Sequence, residues 1–206
     1  LGERLAQLHL ALSSVKDDPR FAPEPFTELY QRSIYQLMRS AAVQSLDLLR
    51  RRAPDFLKEI QPELKRLLAA QDQVLALFHE ILGLKAAGQR IRCHGDFHLG
   101  QVLYTGKDFI LIDFEGEPAR SFGDRRIKRS PLKDVAGMLR SFHYAAYAAL
   151  LARDAGNPVR PEDQVRLDSW ARYWRVWVSA AFLQSYLKIL SPADLLPKSQ
   201  EELRLL

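Results

Sequence analysis

Cysteine is nearly absent from this chain: Cys93 stands alone among 206 residues. A lone cysteine excludes an internal disulfide and a multi-cysteine zinc site, and a reduced, cytoplasmic setting is the expectation that follows. No window approaches the ~18 consecutive apolar residues that a membrane-spanning helix needs, so no membrane partner is expected. The opening Leu1-Gly-Glu-Arg-Leu-Ala-Gln-Leu-His-Leu10 lacks the basic region and apolar run of a signal peptide. It reads as an amphipathic helix already under way, without an initiator methionine, and the expectation is that the sequence begins inside a longer protein. Internal repeats and low-complexity stretches are lacking too.

What is present is an ordinary globular balance, 47% apolar and 27% charged, enough for a packed core. The length allows one domain or one large lobe of a domain. The net charge of +5 is unevenly spread. Arg120, Arg125, Arg126, Lys128, Arg129 and Lys133 cluster in one segment, which suits a phosphorylated small molecule as well as a polyanion, and nucleic acid is not the expected partner. A solvated loop is the first reading of this segment, and anchoring of a phosphate is the alternative.

Leu1, Leu5, Leu8 and Leu12 share one helical face. A proline-containing loop at Phe21–Phe26 precedes a helix over about 27–51, with Leu29, Ile34, Leu37 and Met38 inward. A long helical pattern through Leu64, Leu67, Leu68, Val74, Leu77, Phe78 and Leu82 runs to about Lys85, with Gly88 as its C-terminal cap. Ile91–Cys93 and Gln101–Tyr104 read as short strands, Thr105–Asp108 as a turn and Phe109–Ile112 as a buried strand. Ser130 and Pro131 start a helix whose buried face is Val135, Met138, Leu139, Phe142, Ala146 and Ala149. Gly156-Asn157-Pro158 breaks the chain, a last long helix runs from Pro161 to about Leu190, and a short helical tail follows Ser191-Pro192. The expected fold class is α+β, predominantly α-helical, with one small β element in the middle.

That β element carries the chemistry. His94-Gly-Asp-Phe-His-Leu-Gly-Gln101 is followed by Ile112-Asp-Phe-Glu115. Phosphoryl transfer needs a carboxylate that orients the attacking hydroxyl and accepts its proton, and oxygen ligands that hold Mg²⁺ against a triphosphate. Asp96 and, five residues on, the Gln101 amide supply the first carboxylate and one metal ligand; Asp113, at the end of a neighbouring strand, supplies the other. In extended backbone residues two apart point the same way, so Asp113 and Glu115 are expected to face one site. A metal hydrolase could draw on His94, His98 and the same acids, but such a site usually wants more histidine ligands. His98 is open between substrate contact and structural support of its loop. Cys93 reads as a buried small apolar residue rather than a nucleophile. Trp170, Tyr173, Trp174 and Trp177 lie on one helical face; core packing is the first reading and a sugar-stacking pocket wall the second.

The pattern His-Gly-Asp-x-His-x-x-Gln followed by Ile-Asp-x-Glu resembles the protein-kinase-like phosphotransferases of small molecules, the aminoglycoside, choline and maltose kinases. Within that group His94–Leu103, Ile112–Arg120 and Ser130–Arg140 are similar to the maltokinases, as is the opening Leu-Ala-Gln-Leu-His-Leu-Ala-Leu. The resemblance implies that residues 1–206 are the C-terminal lobe of a protein-kinase-like fold. It implies Asp96 as catalytic base, Gln101 and Asp113 as Mg²⁺ ligands, and Glu115 against a second metal or the substrate. Most of the wider group has Asn where Gln101 stands. His94 and Asp134 would support the catalytic loop, and His98, Glu115, Tyr173, Trp174 and Trp177 would be the substrate side.

The implied cofactors are ATP and Mg²⁺, and the implied reaction is phosphorylation of maltose to maltose 1-phosphate. Nothing before Ile91 shows the glycine-rich strand pair or strand lysine of an N-terminal lobe, so that lobe is expected upstream, with a fused trehalose synthase domain as a further expected partner. Alone, the lobe is expected to bind ATP poorly and turn over little. The rivals are a kinase of another sugar, an aminoglycoside or an amino alcohol, and a kinase-like domain that binds without catalysing. Intact Asp96, Gln101 and Asp113 argue against the last.

Overall fold

The computed structural model describes residues 1–84, 88–151 and 161–205. In chain order these form α1 (Gly2–Ser14), β1 (Glu24–Pro25), α2 (Glu28–Arg52), α3 (Gln61–Ala69), α4 (Gln71–Glu80), β2 (Gln89–Arg90), β3 (Val102–Tyr104), β4 (Phe109–Leu111), α5 (Phe122–Arg126), α6 (Leu132–Leu151), α7 (Pro161–Leu190) and α8 (Gln200–Leu205). The architecture is α+β and predominantly helical, as the periodicities predict. The chain divides into two compact units: Leu1–Pro25 with Gly88–Leu196, and Phe26–Ala87 with Pro197–Leu206. Among the described residues no helix is long and apolar enough to cross a membrane.

In the first unit α1 and α6 both pack on α7. Leu5 and Ala6 of α1 are buried, as are Val135, Met138, Phe142 and Ala146 of α6 and Phe182, Tyr186 and Leu190 of α7, the last two sets spaced three and four apart as a helical face requires. Burial of each large side chain contributes about 1.5–3 kcal/mol. Leu139 is only half-buried, and the Ala149 side chain lies outside the described residues, as do Gly156, Asn157 and Pro158. Gly2 permits the closest approach of α1 to α7: a Cβ there would lie 2.3 Å from the Phe182 carbonyl oxygen.

Two small antiparallel sheets complete this unit. β1 pairs with β2, Glu24 opposite Arg90, and Ile91 continues the ladder as a single bridge to Arg129. The strand expected over Ile91–Cys93 therefore starts earlier and stops at Ile91, and from His94 the amides turn to a side-chain acceptor. β3 and β4 form a hairpin with Leu103 opposite Ile110. Its turn is closed by Thr105 N–H donating to the Asp108 carbonyl at 2.9 Å and Asp108 N–H donating to Thr105 Oγ1 at 3.0 Å. The hairpin is not the buried strand expected at Phe109–Ile112: it is two-stranded and Ile110 is 51% exposed.

The second unit is helical. Thr27 caps α2, its Oγ1 accepting from the Tyr30 amide at 3.3 Å. Phe26, Ile81 and Leu84 form its buried cluster, with Tyr30, Ile34, Tyr35 and Leu82 packed against them. The inward face of α2 differs from expectation. Leu29 and Leu37 are exposed, whereas Gln31 is buried with its Nε2 donating to the Leu84 carbonyl at 2.8 Å. The pattern read as one helix to Lys85 is interrupted at Ala70 and closes in a 3₁₀ turn at Ile81–Gly83, and Leu67 and Leu77 point to solvent. Gly88 is thus no helix cap. It has φ 77°, and a Cβ there would lie 2.4 Å from the Leu195 carbonyl oxygen.

Candidate active site

The loop from His94 to Gln101 has almost no regular structure, so its backbone groups must find partners elsewhere. Asp134, in the first turn of α6, provides them. Its Oδ2 accepts from the His94 amide at 2.8 Å and its Oδ1 from the Gly95 amide at 2.9 Å. The same Oδ2 accepts from His9 Nε2 at 3.1 Å, and His9 Nδ1 meets the Tyr186 hydroxyl at 2.9 Å. All three side chains are buried. A chain of hydrogen bonds thus runs from α7 through α1 and α6 to the loop backbone. Burial pushes the Asp134 carboxyl up, but the hydrogen bond and charge of His9 and the two amide donors outweigh it, so it titrates below the ordinary aspartate value. Burial raises the Tyr186 hydroxyl, which stays protonated.

His9 and Tyr186 were not among the residues expected from sequence. The signal for His9 was its place four residues after Leu5 on the apolar face of α1, where a polar ring needs a buried partner.

The loop is held from three further sides. His94 Nε2 donates to the Ile112 carbonyl at 2.8 Å, which ties the loop to the strand end before Asp113. Lys133 Nζ donates to the Gly95 carbonyl at 2.6 Å, and burial lowers the affinity of that amine for its proton. Leu99 N–H donates to Ser141 Oγ at 3.0 Å. Gly137 lets α6 lie against the loop: a Cβ there would fall 2.6 Å from the Phe97 carbonyl oxygen, a backbone atom with nowhere to move cheaply. Gly137→Ala is expected to cost about 1–3 kcal/mol through this overlap, read as a lower urea midpoint together with slower transfer.

The residues expected to do chemistry fall on this frame. Gln101 Nε2 donates to Asp113 Oδ2 at 2.9 Å, which brings the two expected metal ligands together. Asp113 adopts φ 63°, and among the described residues it alone of the non-glycines has a positive φ. A non-glycine there costs about 1–3 kcal/mol, strain of the kind that clusters at functional sites. The Asp113 carboxylate and the Gln101 amide oxygen make an all-oxygen donor set, the kind Mg²⁺ takes. The premise for Glu115 does not hold. Asp113 is left-handed and Phe114–Glu115 form a turn, so the alternation of an extended strand cannot set the direction of Glu115.

Asp96 is partly exposed, 3.8 Å from His98 Nε2. His98 Nδ1 accepts from the Gly100 amide at 3.0 Å, so its observed role is to cap the 3₁₀ turn Leu99–Gln101, with the protonated Nε2 towards Asp96. Cys93 is a weak donor to the Ile91, Arg129 and Ser130 carbonyls at 3.6 Å, and burial raises its thiol far above the ordinary range, which suits a protonated packing residue.

Core packing of the aromatic stripe is corrected. Trp170, Tyr173, Trp174 and Trp177 are all exposed, Trp174 least at 44%. They pack on one another along α7, Trp170 to Tyr173 and Tyr173 to Trp177 each at 5.8 Å, while Trp174 stands edge-on to Phe142 at 6.4 Å. The buried face of α7 is taken by Phe182, Tyr186 and Leu190, which leaves the aromatics a surface of their own. The basic segment is solvated over much of its length, as its first reading expects, but it is folded locally. Ser121 caps α5, Arg125 donates to the Arg120 and Pro118 carbonyls, and Lys128 is buried against Glu24 and the Pro19 carbonyl.

The chain is similar to known proteins. Residues 1–117 match the phosphotransferase enzyme family, APH. A glucosamine kinase of Streptacidiphilus jiangxiensis is 27% identical over 133 residues, which are 63% of this chain and 27% of that protein. A glucosamine kinase of Mycolicibacterium smegmatis is 42% identical over 57 residues, 27% of this chain and 14% of that protein. The structure of a glucosamine kinase in complex with glucosamine, ADP and inorganic phosphate superposes with a TM-score of 0.74 at 22% identity, over 99% of this chain and 45% of that one. The chain thus spans less than half the length of these relatives, and its fold is the corresponding part of theirs. Spanning the opening helix, the Asp96 loop and the Asp113 turn, the family match covers over half the sequence, and the chain belongs to the phosphotransferase enzyme family.

Proposed function

We infer that residues 1–206 form the catalytic C-terminal lobe of an ATP- and Mg²⁺-dependent sugar kinase whose acceptor is maltose and whose product is maltose 1-phosphate. The observation that carries the transfer chemistry is the pairing of Gln101 with a left-handed Asp113, beside an Asp96 loop fixed by Asp134. The motif resemblance supports maltose, and the exposed aromatic surface of α7 suits a neutral disaccharide. A second reading, glucosamine as acceptor, is favoured by the relatives that bear that name.

When bound, Mg²⁺ and ATP supply the transferable phosphoryl group and neutralise its charge. Asp113 and Gln101 would hold the metal through their oxygens. Asp96 orients the acceptor hydroxyl in line and takes its proton, while the His94, Asp134 and Lys133 contacts keep the Asp96 backbone from drifting. Glu115, next along the Asp113 turn, lies within the segment that would meet a second metal or the sugar. An N-terminal lobe over the nucleotide and, on the maltose reading, a fused trehalose synthase domain complete the parent, whose ATP-dependent chemistry belongs in the cytoplasm.

³¹P NMR of the full-length protein with ATP and Mg²⁺, offering maltose, glucosamine, glucose and trehalose in turn, tests this. An anomeric phosphate signal with maltose alone is the expected result. Transfer to glucosamine alone would replace the acceptor, and no transfer to any sugar would overturn the kinase reading. Trp174→Ala is expected to raise the sugar KM roughly tenfold, the effect of removing about 1.4 kcal/mol of contact, with kcat nearly unchanged. A fall in thermal stability alone would show that Trp174 only supports Phe142.

A further inference from the structure

A second concave site shares no lining residue with the groups assigned to transfer. It is a cavity of about 600 Å³ in the first unit, the size of a small-molecule pocket. Its charged lining is Arg20, Arg90, Arg92, Arg126 and Lys128 against one carboxylate, Glu24. These residues come from the loop after α1, from β2 and its exit, and from the end of α5. Cations brought together from separate segments repel one another, an arrangement that costs stability unless an anion is to be held there.

The local bonds fix the cations in place without neutralising them all. Glu24 serves both Arg90, at 2.6 Å, and Lys128, at 2.8 Å, and Arg20 pairs with Asp18. Arg92 donates to the Arg126 carbonyl at 2.7 Å and lies over the Phe21 ring, 5.9 Å from its centroid. Only the backbone of Arg126 takes part in that bond. Its guanidinium has no acceptor among the described residues, and the side chain is exposed. Planar guanidinium forks bind a phosphate bidentately; Arg92 is held in advance on the Arg126 carbonyl, which lowers the entropy cost of ordering it, and Arg126 leaves its fork open to a ligand. An open concave pocket with an aromatic wall, rather than an extended basic stripe, fits a small molecule better than a nucleic-acid strand.

We propose that this cavity binds the phosphate group of a small phosphorylated sugar, with Arg126 and Arg92 as its direct partners and Phe21 beside the ring. The site is placed to affect transfer. Arg92 stands two residues before His94, and Arg126 and Lys128 lie in the segment between Asp113 and α6. A ligand held there ties the strand that enters the catalytic loop to the segment that leaves the metal ligand.

Isothermal titration of the full-length protein, without nucleotide, with glucose 6-phosphate, inorganic phosphate and glucose tests the proposal. Glucose 6-phosphate is expected to bind at one site and glucose to give no heat. Asp113→Asn, which alters the transfer site, is expected to leave this binding intact. Arg126→Gln is expected to weaken it about tenfold and Arg126→Glu to abolish it, with unchanged thermal unfolding because the side chain is exposed. Equal binding of inorganic phosphate, with the same dependence on Arg126, would support the phosphate site and make free phosphate its ligand. No binding of either anion at millimolar concentration, binding indifferent to Arg126→Glu, or binding lost in Asp113→Asn would overturn it.

Discussion

Asp96→Asn is expected to lower the rate of phosphoryl transfer by about 10²- to 10⁴-fold, the range that a positioned general base contributes. The amide has the size of the carboxylate but accepts no proton. Asp96 makes no hydrogen bond that frames the loop; those come from Asp134, Lys133, Ser141 and the His94 ring. The substitution should therefore leave fold and nucleotide affinity unchanged. Rapid-quench transfer and a thermal melt, measured together on the full-length protein, check this. A rate within threefold of wild type would remove Asp96 from the chemistry.

Asp134→Ala is expected to destabilise the first unit by about 3–5 kcal/mol, the cost of breaking one partner out of a buried charged network. The change strands the His94 and Gly95 amides and the His9 ring in a site without water access. Against a typical stability of about 5–15 kcal/mol, that loss brings the unit near unfolding. Asp134→Asn keeps the shape but can accept well at only one of its two ends, so it should fall between the two.

The same group predicts a pH dependence. The Asp134 carboxyl titrates lower in the folded protein than the ~3.9 of an unfolded chain, so the unfolded state binds the proton more readily. Its contribution is then fully present above about pH 4 and is lost as pH falls through the lower folded value. Urea midpoints between pH 7 and pH 3 should drop below about pH 4 in wild type, and the drop should be shallower in Asp134→Asn. Equal slopes would mean that other carboxylates govern the acid limb.

The carboxylates of the site were legible because their spacing is local. Asp96 and Gln101 sit on one short loop, and Asp113 ends the next hairpin, so chemistry and chain order coincide. Asp134 was legible as the acid opening α6. Its partners were not, for His9 and Tyr186 lie 125 and more residues away from their contacts. Helical periodicity also finds a face without saying what covers it. The α7 aromatics form a true stripe, but Phe182, Tyr186 and Leu190 hold the buried side; in α2 it is Gln31, not Leu29 or Leu37, that meets Leu84. The direction of Glu115 was lost to one backbone angle, because Asp113 at φ 63° ends the strand alternation on which that expectation rested.

On the proposed assignment, Asp113 and Gln101 hold the metal while Asp96 serves the acceptor. Mg²⁺-dependent ATP binding by the full-length protein separates the two roles. Asp113→Asn is the informative variant because Asn tolerates the left-handed backbone, leaving the charge as the main change. Wild type and Asp96→Asn are expected to bind ATP with the same Mg²⁺ dependence, and Asp113→Asn to lose that dependence. A Mg²⁺ titration of Asp113→Asn superimposable on wild type would contradict the assignment.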